Sequence, residues 1–384
     1  VFMPAFPHIE ILQFNFLLNH VPFRLKGHLD FQDDMALDLV CSLDSPSFEG
    51  SLMKNLKRAD FKIAGDMKAN GFNGSGEFQM SWNAPAYGNG VKRIEGDFKA
   101  LRVDFNDYSQ LFFYLRDGRL AFWTNESEHR MSFQDLRARL NCLHPRLKIL
   151  EMNVPFYGGM VDGRAWFDSQ RSPLKTSAVF LLNDVDANRL DPLLIHFSKV
   201  HGRLFSKIYF RMGSEVNING EINVKKGSLR NFDFFNWMAD TFELPALKKI
   251  DFKKAAVDFL IDKENIGLDK IQLESGDLAV RGYFNIDKNG LVSSKLALGF
   301  PRDFLSQSAK LRRITEVFDE QVREVVFDFQ LSGNQHAMNF QWLDSEHKEK
   351  IRATIPDFIE RIIERRVDKA IQTPGPEQEF KVGN

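Results

Sequence analysis

The side chains in this sequence that could do chemistry are scattered. His196 and His201 are the nearest histidine pair, and no cysteine or carboxylate stands at ligand spacing beside them. They read as solvated or hydrogen-bonded loop histidines rather than metal ligands. Asp184, Asp186 and Asn188 imitate the opening of a calcium loop, yet Arg189 stands where glycine is required and Ile195 where the bidentate glutamate belongs. That run reads as a strand end leading into a turn. Gly74-Ser75-Gly76 comes closest to a phosphate-cradling loop, but it lacks the third glycine and the following helix pattern, so a hairpin turn is expected there. Cys41 and Cys142 form neither a CxxC motif nor a Cys/His cluster, which indicates neither a structural zinc nor a disulfide framework. HExxH, Walker A and GxSxG sequences are absent. The reading is therefore of no catalytic residues, no metal, no cofactor and no enzyme. A pair of carboxylates assembled from distant positions stays open at this level.

Composition points the same way. Phenylalanine occurs 37 times against 6 tyrosines and 5 tryptophans, so the aromatic excess falls on the ring with no polar handle. That favours greasy surface over polar recognition. Lysine plus arginine (51) nearly cancels aspartate plus glutamate (52), without a block of like charge, so the electrostatic footprint of nucleic-acid binding is missing. No apolar run is long enough to span a bilayer, and Val1 to Glu10 lack the features of a signal peptide. The start at Val1 leads us to expect a preceding portion, with an anchor or signal.

The elements that must position any site are strands. Met35, Leu37, Leu39 and Cys41 alternate with Ala36, Asp38 and Val40; Val216, Ile218, Ile222 and Val224 alternate with polar residues; Leu278, Val280, Phe284 and Ile286 and then Val325, Phe327, Phe329 and Leu331 repeat the pattern. A period of two means one apolar and one polar face. Asp117-Gly118, Lys226-Gly227 and Asn289-Gly290 read as turns between them, which fits hairpins and a meander rather than helical crossovers. Within the strands a glycine recurs with apolar residues two positions to either side: Gly27, Gly65, Gly96, Gly163, Gly220 and Gly282, with Gly333 as a partial case. Each sits on the apolar face, where glycine marks a bend, a bulge or the close approach of another group. A curled sheet with its apolar face inside supplies such a reason.

Three segments break the alternation. Asn231 to Phe242 carries Phe235, Met238 and Phe242 at helical spacing, and Arg302 to Arg323 reads as one longer amphipathic helix. Ile355, Phe358, Ile359, Ile362, Ile363, Val367 and Ile371 form an apolar stripe whose polar face carries both signs of charge, which favours packing on the sheet end over a membrane surface. The expected fold is mainly β: a long curled antiparallel sheet with an apolar concave groove, β-taco or open barrel-like, plus a few short amphipathic helices. The expected divisions are an amino-terminal sheet over 1–173, a region over 174–343 with helices near 231–243 and 302–323, a carboxy-terminal helix over 344–372, and a disordered tail over 373–384.

From Leu174 to Trp342 the order of features resembles the carboxy-terminal region of the AsmA-like family of bacterial envelope proteins. The likeness is carried by Asn183 to Leu190, a strand ending in a corner; Gly202-Arg203-Leu204, opening a strand; Asn219 to Leu229, a strand with a glycine and a basic turn; the short helix around Trp237; and the paired strands Ile250 to Ile261 and Ile271 to Ile286, with a turn at Ser275 to Leu278. The resemblance implies a bridge-like lipid transfer protein of the periplasm or cell envelope, anchored in the inner membrane by a segment outside this chain. It would move phospholipid between inner and outer membranes or assist outer-membrane assembly, with envelope protein partners and membrane contact through that anchor or the carboxy-terminal end.

Combined with the apolar face, this leads to a passive mechanism in which acyl chains lie along inward-facing side chains while head groups stay near water. Candidate lining residues are Ile218, Ile222, Phe259, Leu278, Val280, Phe284, Leu296, Leu298, Phe327 and Phe329. The competing reading is a structural or adhesive β-protein whose core is filled by its own side chains and which takes no lipid.

Overall fold

A computed structural model describes residues 8–18, 21–31, 35–44, 56–68, 71–82, 93–107, 110–123, 128–143, 146–168, 175–190, 199–213, 215–230, 232–309, 311–318, 321–334 and 337–354. The expected stripe from Ile355 to Ile371, the tail beyond it, and His196 lie outside those residues. The protein is mainly β, with nineteen strands in one antiparallel sheet that is not closed into a barrel, and a few short helices. Two compact units divide the chain, the first comprising 1–195 and 205–218 and the second 196–204 and 219–384.

In the first unit the strands are β1 (His8–Leu18), β2 (Val21–Asp30), β3 (Met35–Asp44), β4 (Leu56–Lys68), β5 (Gly71–Trp82), β6 (Arg93–Asp107), β7 (Gln110–Trp123), β8 (Glu128–Leu143), β9 (Arg146–Phe156), β10 (Gly159–Asp168) and β11 (Lys175–Asp186). Each pairs antiparallel with the next, as the meander reading expects. Among the described residues this unit holds no α-helix, only a 3-10 turn at Ala187–Leu190. β12 (Val200–Met212) and β13 (Val216–Arg230) follow. The second unit runs through α1 (Asp233–Phe242), β14 (Lys249–Ile261), β15 (Asn265–Ser275), β16 (Ala279–Asp287), β17 (Leu291–Pro301), α2 (Arg302–Ser306), α3 (Arg312–Glu316), β18 (Glu324–Asn334), β19 (Ala337–Trp342) and α4 (Glu346–Thr354). Strands β14 to β19 again pair in chain order.

Several local expectations change. Gly74-Ser75-Gly76 is not a hairpin turn but the middle of β5. The ladder with β6 skips there, Gly74 facing Leu101 and Gly76 facing Phe98, and Ala100 takes a left-handed φ of 51° to absorb the extra residues as a bulge. Asp117-Gly118 lies inside β7, with Gly118 opposite Phe98 and Phe133, and Lys226-Gly227 lies inside β13, where Lys226 has a φ of 49°. These dipeptides lie within strands rather than at strand ends. Asn289-Gly290 is a turn: Asp287 Oδ1 accepts the N–H groups of Asn289 and Leu291, and Gly290 has a φ of 76°.

The helix expected over 302–323 is two short helices. The Ser308 side chain, buried at 1 % exposure, accepts the Leu311 N–H at 3.2 Å, and its carbonyl accepts the Arg312 N–H at 2.9 Å. The serine thus starts a second helix where one continuous helix would have left its hydroxyl without that bond.

Candidate functional site

Strand register turns the period-two pattern into rows of side chains. In the first unit one row on the apolar face runs Leu39, Ile63, Gly76, Phe98 and Gly118 across β3 to β7, and a second runs Cys41, Phe61, Phe78, Gly96 and Leu120. Glycine therefore faces a large side chain across the strand gap. A methyl group on Gly76 would meet the Phe98 ring and the Lys62 carbonyl, one on Gly96 chiefly the Phe78 ring, and one on Gly74 the Ala64 carbonyl and the Phe72 ring of its own strand. The room that glycine leaves is occupied by a phenylalanine lying over it, which pairs the phenylalanine-rich composition with the strand glycines.

The other expected bend glycines divide by what approaches them. Gly163 faces the Met152 methyl and the Phe180 ring. Gly65 lies against the Asn73 carbonyl. Gly27 has a φ of +141° and abuts the Asp38 carbonyl, while Gly282, at +154°, abuts that of Lys295, so at these two positions the backbone itself requires glycine. Gly220 is half-buried within β13.

These rows form a continuous apolar surface. Its buried nucleus is Leu37, Phe72, Leu101 and Leu115, with Leu29, Leu39, Ile63, Met67, Phe98, Val103, Phe113 and Leu136 partly buried around it. Every member belongs to β2 to β8; none comes from a helix. Phe61, on the same parity as Ile63, is 43 % exposed.

The second unit treats its apolar face differently. Val280, Leu298 and Phe327 face one another across β16, β17 and β18, and Leu296 faces Phe329 in the adjoining row. Leu278, Val280, Leu298, Phe327 and Phe329 are all buried. Phe304 of α2 stacks on Phe300 with centroids 6.1 Å apart, and Phe300 meets Phe327 edge-on at 5.8 Å. Phe327 and Phe329 both lie against Trp342. This end of the strands is a filled core.

Toward the other strand ends the cover thins. Phe259, Leu268 and Phe284 form a half-buried row, and the next row, Ile261, Ile266, Ile286 and Val292, includes Ile261 at 39 % and Ile266 at 48 % exposure. Of the ten lining residues expected from sequence, five are thus sealed, while Phe259, Phe284, Leu296, Ile218 and Ile222 are half-buried. Ile218 belongs to the first unit and Ile222 to the second.

An open depression of about 740 Å³ lies across β3 to β8, lined mainly by residues of the charged parity, among them Asp60, Lys62, Glu77, Asp97 and Arg119. Sequence reading placed the concavity on the apolar face only. Here Arg58 pairs with Asp60, Arg93 pairs with Glu95, and the Arg93 guanidinium lies 4.8 Å from the Trp123 ring centroid. Charges matched along single strands in this way are ordinary dress for a solvated sheet face.

Reactive groups are sparse among the described residues. Among those residues no three histidine, cysteine or acidic side chains come together to hold a metal. Burial pushes the Cys41 thiol above its usual pKa, away from the nucleophilic thiolate. His201 is half-buried within β12. Among the described residues no helix is long and apolar enough to cross a membrane. No protein-family model and no curated protein matches this chain. The likeness to AsmA-like proteins rests on the order of the motifs alone.

Proposed function

We propose that this chain is a non-enzymatic protein of the bacterial envelope that binds or conducts phospholipid along the apolar face of its sheet. The observation that carries the reading is the surface of β2 to β8, where phenylalanine rings lie over strand glycines and, among the described residues, the apolar cluster draws no member from a helix. An acyl chain laid on that surface exchanges water for hydrocarbon at about 0.8 kcal/mol per methylene, a gross gain on the order of ten kcal/mol for one chain. No polar recognition is needed for such binding, which agrees with an aromatic complement dominated by phenylalanine. The AsmA-like motif order suggests the envelope setting and traffic between inner and outer membranes.

The competing reading, a structural sheet with a filled core, draws on the buried side chains around Leu278, Leu298 and Phe300. Both readings are separated by native mass spectrometry of lipid released from the purified, folded chain. Lipid is expected to co-purify and to fall severalfold in Phe61→Glu, whose side chain is exposed on the apolar parity. Leu260→Glu is the control, since Leu260 is 37 % exposed on the opposite parity from Phe259, and it is expected to retain lipid. A folded sample free of lipid, or equal loss in the two variants, would leave the filled-core reading standing.

A further inference from the structure

The sheet finishes its last strand and leaves its first unfinished. At the carboxy-terminal edge β19 is only six residues long. Past its end the backbone groups of β18 find other partners: Asp328 O accepts the Leu343 N–H at 2.8 Å, and His347 Nδ1 of α4 accepts the Val326 N–H at 3.1 Å. Lys348 Nζ donates to the Trp342 carbonyl at 2.6 Å. A short strand closed off by a helix is how proteins blunt an edge.

The amino-terminal edge carries few such devices. β1 is 11 residues long, and among the described residues its only ladder is with β2. Its outer N–H and C=O groups form a row that alternates in direction along the strand, and only another extended strand matches that spacing. Between His8 and Leu18 there is no lysine, arginine or proline, and Glu10 is the lone acid. Ile9 is 43 % exposed, Leu12 75 % and Phe14 56 %. Ile9, Ile11 and Phe14 face Leu29, Gly27 and Leu25 of β2, so they end rows of the apolar face.

We infer that the outer edge of β1 accepts an additional strand from a partner polypeptide, one that carries apolar side chains at alternate positions and so continues these rows. A second copy of this chain is a poorer donor. Pairing β1 with itself sets two bulged edges, each shifted between Ile11 and Phe14, against one another. A regular strand avoids that cost.

The probe is a fluorescently labelled peptide of alternating valine and threonine with lysines at its ends, titrated into the full chain and followed by anisotropy. Saturable binding is expected, weakened at least about tenfold in the double variant Ile9→Lys/Leu12→Lys, because edge lysines oppose strand addition. Both positions are exposed, so circular dichroism and the melting temperature of the variant should match the parent. No saturable binding, or equal binding to parent and variant, overturns the inference. So does protection of every β1 amide from hydrogen exchange in the peptide-free monomer, or sedimentation showing that copies of the chain occupy the edge themselves. None of these readouts involves lipid, so their outcome is independent of the lipid reading.

Discussion

The two units carry the same alternating pattern and make different use of it. Among the described residues the buried apolar residues number eleven in the first unit and twenty-six in the second, although the first holds the longer run of strands. In the second unit α1, α2, α3 and α4 contribute buried residues such as Phe235, Phe304, Ile314 and Ile351, which complete a core with the sheet. In the first unit no helix does this, and the sheet covers its own glycines with phenylalanine rings. A period-two strand specifies an apolar face; whether that face becomes a core or a surface depends on what else the chain brings to it.

The sharpest way to break this contrast is Phe300→Ala. Phe300 is 1 % exposed between Phe304 and Phe327, and its truncation should cost about 3–5 kcal/mol, read as a fall in the urea midpoint of the second unit. If the loss is under about 1 kcal/mol, that end of the sheet is not a packed core. In the first unit the corresponding stress falls on glycine. Gly27→Ala places a methyl group against the Asp38 carbonyl at a left-handed φ, and should cost about 2–3 kcal/mol by the same measurement.

Gly96→Ala pushes chiefly against the Phe78 ring, which can swing away, and more lightly against the Arg119 carbonyl, so about 1–2 kcal/mol is expected. The double variant Gly96→Ala/Phe78→Ala should recover part of that loss in a thermodynamic cycle, and strict additivity would show that the ring does not lie over the glycine. Ser308→Ala removes one of the two acceptors of the Leu311 N–H, leaving the Ser308 carbonyl, and should cost about 1 kcal/mol or less, with hydrogen exchange rising in α3 before the strands respond.

The smallest effect concerns the β16–β17 turn. The Leu291 N–H foremost, then the Asn289 groups, hold the Asp287 carboxyl below its usual range. A depressed carboxylate contributes stability above its unfolded pKa and loses it as pH falls through the folded value. The parent should therefore exceed Asp287→Ala in melting temperature by a constant amount at neutral pH, and the gap should narrow only below about pH 4. A gap that widens on acidification would reverse the assigned sign.

Much of the fold was legible because strand alternation is a local property. Met35 to Cys41, Val216 to Val224 and Val325 to Leu331 all fall in strands, and α1 falls where Phe235, Met238 and Phe242 placed it. The Asn289-Gly290 turn was legible for the same reason, since Asp287 satisfies its own neighbours. Gly74-Ser75-Gly76 and Asp117-Gly118 misled because a glycine within a strand and a glycine in a turn look alike until the opposite strand is known. The candidate site was legible as a face but not as a surface: nothing local to Leu278 or Leu298 tells that they are sealed while Phe61 is bare.

By itself, then, the sequence determined which residues share a face, because side-chain direction alternates with each peptide and needs no partner. It also set where glycine must stand in the strands. Tertiary structure alone decided which phenylalanine covers which glycine, which glycine dipeptides stay inside strands, and where helices close the apolar face. Those outcomes depend on residues brought together across the ladder from distant positions, and their geometry exists only once the strands have paired.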